Sequence, residues 1–174
     1  AKGKGAATTK SPLVIPTSKV IQDLDVYFNI EHSNVRDLSL ALVSPSGSRV
    51  ELFSNLGQNY SGGVSEVYLD DEATQPISDA SSPFNGHYQP ETPNALSIFD
   101  GEDALGSWTL EVIDSNRNNT GILNDWWLVI DSEVTPGITV TPTAGLETSE
   151  AGGPASFDVV LDSQPTADVT IAVS

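Results

Sequence analysis

His32 and His87 are the only imidazoles in the 174 residues. A hydrolase would need one of them as a base, beside a nucleophilic hydroxyl and an orienting carboxylate. No Gly-x-Ser-x-Gly elbow and no subtilisin motif surrounds any serine. No glycine-rich phosphate cradle occurs either. Both histidines stand beside turn residues, which suits a loop hydrogen-bonder better than a base. Among 24 acidic residues some pair will always lie at a glycosidase separation, so a sugar-cleaving pair has no specificity. The residues 1–174 are therefore expected to be non-catalytic.

Oxygen donors are the abundant chemistry. Ca²⁺ takes about six to eight oxygens from carboxylates, amides and backbone. Asp114, Asn116 and Asn118 alternate in one loop that ends at Gly121, with Asp125 beyond it. Asn119 stands where an EF-hand loop requires glycine, and a hairpin built on Asx turns explains the same residues. A second group is Asp70-Asp71-Glu72, expected to be joined by Asp37 across one end of the fold. Three adjacent acids without a nearby cation repel one another, and a divalent ion would relieve them. Asp100-Gly101-Glu102-Asp103 reads as a solvated loop. Ca²⁺ is thus the expected cofactor, if one binds.

Charge narrows the partners. The chain carries 24 acids against 7 bases, a formal net of −17. Residues 1–19 hold four lysines and no acid, whereas the remainder holds every acid and only Arg36, Arg49 and Arg117. Such a body repels nucleic acid. No apolar run nears the roughly 20 residues that span a bilayer, so membrane insertion is not expected. Cysteine is absent, which removes disulfides, zinc–thiolate sites and thiol nucleophiles. Methionine is also absent and residue 1 is alanine, so a piece of a longer protein is expected.

These groups must be positioned by strands. Leu24, Val26, Phe28 and Ile30 alternate with polar partners, a half-buried strand. Leu38, Leu40 and Leu42 repeat the pattern. Ser44-Pro45-Ser46-Gly47 then turns the chain into Val50 and Leu52, a hairpin over residues 38–53. Residues 54–107 read as loop, with one strand at Val64–Leu69 and a helical turn near Asn94–Phe99. Trp108, Leu110 and Val112 alternate again, as do Trp126, Leu128 and Ile130. Trp126 should then face the core and Trp127 the opposite side, where it is a candidate binding surface. No window carries a helical stripe. The expectation is an all-β sandwich over residues 12–132, preceded by a basic tail, residues 1–11. A linker, residues 133–137, follows. Residues 138–174 then form a partial second β segment with strands near Ile138, Phe157–Leu161 and Val169–Val173.

Several segments, in order, resemble the P domain of kexin- and furin-type subtilisin-like proprotein convertases. They are His32 with Arg36-Asp37-Leu38, then Leu42-Val43-Ser44-Pro45-Ser46-Gly47-Ser48, and Asp70-Asp71-Glu72-Ala73. Pro83-Phe84-Asn85-Gly86-His87-Tyr88-Gln89-Pro90 follows, and Phe99-Asp100-Gly101 leads to Gly106-Ser107-Trp108-Thr109-Leu110. Val112-Ile113-Asp114 and Gly121-Ile122-Leu123-Asn124-Asp125-Trp126 complete the set. Arg36 departs from the pattern, which has glycine there, so the local turn is expected to differ. The resemblance implies a jelly-roll-like sandwich and an accessory role beside an upstream protease domain in the same chain. It also implies export, from a bacterial source. The alternative is a carbohydrate-binding or adhesion module in a modular secreted protein without a protease. Residues 138–174, through Glu150-Ala151-Gly152-Gly153, resemble the start of a Calx-β-like repeat.

Overall fold

The computed structural model describes residues 7–57, 63–116, 118–132, 137–145, 147, 150–152, 154–161 and 168–170. It divides into two compact units between residues 132 and 133. The first is built of eight strands: β1 Ala7–Ile15, β2 Ile21–His32, β3 Leu38–Val43, β4 Arg49–Ser54, β5 Val64–Leu69, β6 Phe84–Tyr88, β7 Gly106–Asp114 and β8 Gly121–Ser132. One sheet runs β1-β7-β3-β4, the other β6-β5-β2-β8. The chain changes sheet five times, at β1/β2, β2/β3, β4/β5, β6/β7 and β7/β8. That weaving gives the jelly-roll-like sandwich. All pairings are antiparallel except β5 with β6.

Period-2 alternation is what builds the core. Leu24, Val26, Phe28 and Ile30 of β2 are buried, and Leu38, Leu40 and Leu42 of β3 meet them from the other sheet. Phe28 and Phe53 touch across the layers with ring centroids 5.8 Å apart. Burial of this kind contributes about 25 cal/mol per Å² of apolar surface removed from water. Three short 3-10 turns, Val35–Asp37, Ile77–Asp79 and Leu96–Phe99, close the ends. Among the described residues, no helix is long and apolar enough to cross a membrane.

Two expectations need correction. Residues 7–11 are not tail. They are the first part of β1, which pairs with β7 from Ala7–Asp114 to Ile15–Gly106. Their side chains are too small to show an apolar stripe. The ladder, the Lys10–Glu111 ion pair at 2.8 Å and the Trp126 Nε1–H donated to Ser11 Oγ at 3.0 Å hold them instead. Residues 84–88 are a strand within the presumed loop. Only Phe84 and Tyr88 face inward there, too few to announce a period. Arg36 requires no left-handed backbone. It lies inside the Val35–Asp37 turn, where Asn34 Oδ1 accepts its N–H at 3.3 Å.

The second unit holds β9 Ile138–Thr141 and β10 Asp158–Leu161, paired antiparallel with Ile138 opposite Leu161. Of the third expected strand, Val169 is irregular, and Ile171 and Val173 lie outside the described residues. The expected linker is also outside them except for Gly137.

Candidate functional site

The expected acidic group sits where β5 ends, but its members point to separate tasks. Both Asp71 carboxylate oxygens accept backbone N–H groups, from Leu96 and Ser97, each at 2.9 Å. Asp71 thereby starts the Leu96–Phe99 turn. Asp70 Oδ1 accepts the Glu72 N–H at 2.6 Å, an Asx turn. The field comes from Asp23 and Asp25 on β2, which sequence reasoning missed, and from Asp100, which it read as part of a solvated loop. Asp25 Oδ1 is buried without a hydrogen-bond partner. Burial, then Asp70 and Asp23, push the Asp25 carboxyl from 3.8 up to about 6. A hydrogen bond with Asp70 raises Glu72, and burial with Asp23 and Asp71 raises Asp100. Among the described residues, however, no three His, Asp or Glu side chains converge to hold a metal ion.

Asp37 does not join this group. Leu38 pairs with Asp114 across β3 and β7, which places Asp37 against the β7–β8 loop instead. Its carboxylate accepts Asn116 Nδ2–H at 3.4 Å and also Asn119 Nδ2–H, and its backbone oxygen accepts the Ser115 N–H at 2.8 Å. Within the loop, Asp114 Oδ1 accepts the Asn116 N–H at 2.9 Å and Asn116 Oδ1 accepts the Asn118 N–H at 3.3 Å. These oxygens face backbone donors in successive Asx turns. His32 is held beside them, its side chain 2% exposed. Its Nδ1 lies 2.7 Å from Asn34 O, and its Nε2, with no hydrogen bond, lies 3.8 Å from Asp114 Oδ2. Neither histidine hydrogen-bonds a serine or threonine hydroxyl among the described residues.

Glu102 and Asp103 are not a free solvated pair. Glu102 accepts from the hydroxyls of Ser46, at 2.9 Å, and Ser48, clamping the Ser44–Ser48 turn. Asp103 accepts the Leu105 N–H at 3.0 Å, Ser18 Oγ–H at 2.8 Å and the Lys19 N–H at 3.1 Å. The hydrogen bond from Leu105, with that from Ser18, holds the Asp103 carboxyl below its ordinary value.

The outer face of the β6-β5-β2-β8 sheet carries a third feature. Registers place Trp127 opposite Tyr27, Tyr27 opposite Tyr68, and Tyr68 opposite His87. The four rings therefore form one row across four strands. Trp127 stacks on Tyr27 at 3.6 Å between centroids, Tyr27 meets Tyr68 at 4.8 Å, and Tyr68 stacks on His87 at 4.7 Å. Trp127 remains 38% exposed, while Trp126 packs against the core. Asn85 and Glu66 complete an open hollow of about 530 Å³. Trp127 and His87 of this row were singled out from sequence, His87 as a loop hydrogen-bonder, whereas it lies in β6 and stacks on Tyr68. The readable signal for the rest was aromatic residues on the polar phase of two alternating strands.

The Asp25 shift makes a measurable statement. Between pH 4 and 6 the folded state holds a proton that the unfolded state releases, so stability falls as pH rises through that window. An unscreened shift of this size would be worth about 3 kcal/mol, and exposure of the half-buried carboxyl reduces it to about 1 kcal/mol. In chelator, Asp25→Asn should gain about 1 kcal/mol at pH 7 and nothing at pH 3.5 in urea unfolding. Equal gains at both pH values would refute the assignment.

A family model, the proprotein convertase P-domain, matches residues 21–130, more than half of the chain. The chain belongs to this family. One relative of the P domain is the extracellular serine protease of Aeromonas sobria, 28% identical over 110 residues. That match covers 63% of this chain and 16% of the protease, so the chain spans about a sixth of its relative's length. Crystal structures of an Aeromonas sobria serine protease, alone and with its chaperone, each cover 71% of this chain. They share 22% and 23% identity with it, at TM-scores of 0.43 and 0.44. The matched parts make up 23% and 22% of the solved chains. Within this P domain the family motifs have local causes. Gly106, with φ +129, precedes Trp108, and a Cβ there would come within 2.8 Å of Pro45 Cβ.

Proposed function

We propose that this P domain is an accessory body of a larger exported protein of bacterial type, and that it stabilises a subtilisin-like serine protease domain preceding it in the same chain. The observation that carries the reading is family membership over residues 21–130, joined to a relative that is a secreted protease six times longer than the match. The structure supplies a suitable instrument. A rigid sandwich that binds only the folded protease raises its apparent stability by mass action. Covalent attachment keeps the effective concentration high.

Ca²⁺ enters this proposal as charge relief at the acidic end rather than as an ion in a finished coordination sphere. The unpartnered Asp25 Oδ1 and the mutual repulsion of Asp23, Asp25 and Asp70 would favour a divalent cation there. Asp70 Oδ2 and Glu72 would be further donors, while Asp70 Oδ1 and both Asp71 oxygens already accept backbone N–H groups. Asp37, Asp114 and Asn116 already accept N–H groups of the β7–β8 loop.

The test is thermal inactivation of the full-length parent against a variant lacking residues 7–132, each in Ca²⁺ and in chelator. The expected result is a midpoint lower by several degrees without the P domain. Ca²⁺ should raise the midpoint only when the domain is present. Equal midpoints for the two proteins would overturn the stabilising role. A midpoint indifferent to chelator would remove the cation.

A further inference from the structure

The row Trp127-Tyr27-Tyr68-His87 lies on a sheet of uniform charge. Strands β2, β5, β6 and β8 contain no lysine or arginine, yet they carry Asp25, Glu66 and Asp125 around the rings. Asn29 pairs with Asp125 one step along the face from the Tyr27–Trp127 pair, and Asp25 pairs with Val129 one step the other way. The rings are therefore bordered by carboxylates on both sides. Two described cations, Lys10 and Arg49, lie instead on Glu111 of the opposite sheet.

Glu66 is placed there by a distortion. The registers of β5 with β2 and with β6 shift around residues 65–66, and Glu66 has φ +55, rare for a side chain of this size. A bulge of this kind re-aims a side chain and stores strain. Glu66 thereby lines the hollow with Tyr68 and Trp127, and after burial and Asp125 its charge helps to raise the Tyr27 hydroxyl above its ordinary value. Aromatic faces are electron-rich and attract cations, most strongly when a carboxylate completes the contact.

We infer that this hollow is a receptor for an arginine side chain of a partner polypeptide, its guanidinium laid on the exposed indole of Trp127 and paired with Glu66. Planarity distinguishes this group from an ammonium: it stacks flat while its N–H fork meets a carboxylate. A neutral sugar would use the stacking surface and donate hydroxyls to the carboxylates, but it would leave their charge unneutralised. This site stands apart from the stabilising role, and either can fail without the other.

The experiment is a titration of the full chain, followed by ¹H–¹⁵N NMR at low ionic strength. The probes are the peptide acetyl-Gly-Arg-Gly-amide and its citrulline counterpart, which has the same shape without the charge. The arginine peptide should move the Trp127 indole signal and backbone signals around Glu66 and His87, with the citrulline peptide about tenfold weaker. Glu66→Gln should weaken the arginine peptide about tenfold, and Trp127→Ala should abolish the effect. The Trp108 indole signal reports that both variants remain folded, and raised salt should weaken binding in the parent. Equal binding of the two peptides, or shifts confined to other acidic surfaces, would overturn the proposal. So would cellohexaose or chitohexaose moving these signals while the arginine peptide does not.

Discussion

Trp108→Ala should remove about 4 kcal/mol of stability, the largest loss expected from any single truncation in this core. Trp108, near the start of β7, is 0% exposed. Its ring edge meets Phe99 at 5.2 Å and 71°. Its Nε1–H donates to Ala104 O at 2.9 Å, inside the protein. Truncation therefore has two costs: a cavity lined by residues of both sheets, and a buried carbonyl that loses its donor. Trp108→Phe separates them. It keeps most of the volume and the aromatic contact but removes the donor, so about 2 kcal/mol is expected. Urea unfolding followed by the emission of Trp126 and Trp127 measures both. A loss under 1 kcal/mol for the alanine variant would mean that the site collapses freely, against the close packing described.

The sandwich was legible because its strands announce themselves. Leu24 to Ile30, Leu38 to Leu42 and Trp108 to Val112 alternate cleanly, since each has one face on the core and one outside it. The ends of the ladder were less readable. Residues 7–11 are held by backbone pairing, by Lys10 on Glu111 and by Ser11 under Trp126, none of which leaves an apolar period. Acid residues were legible as types but not as groups. Spacing could suggest that Asp70, Asp71 and Glu72 share a task. It could not show that Asp71 starts a 3-10 turn 25 residues later, as Leu96 N–H does with its Oδ1. Nor could it show that Asp37 belongs with Asn116 and Asn119, which follows from a β3–β7 register set by tertiary pairing. The aromatic row is the sharpest case. Each ring is visible in sequence, but their alignment depends on three inter-strand registers at once.

Gly121→Ala carries the other large expected effect. Gly121 opens β8 and pairs with His32 at the end of β2. An added Cβ would fall within contact distance of Glu31 O and the His32 ring carbon Cδ2, closer than real Cβ atoms approach. The first obstacle is backbone and the second a side chain that is itself buried and tied to Asn34, so neither can swing aside. The strand ends must part, at a cost of about 3 kcal/mol. The coupling distinguishes this cause from a general loss of glycine flexibility. His32→Ala removes the ring but leaves Glu31 O, so in the Gly121→Ala background it should cost less than it does alone. Urea midpoints of the two single variants and the double variant give the coupling directly. Strict additivity would show that the ring and the added methyl never met, and would place the damage in the β2 backbone alone.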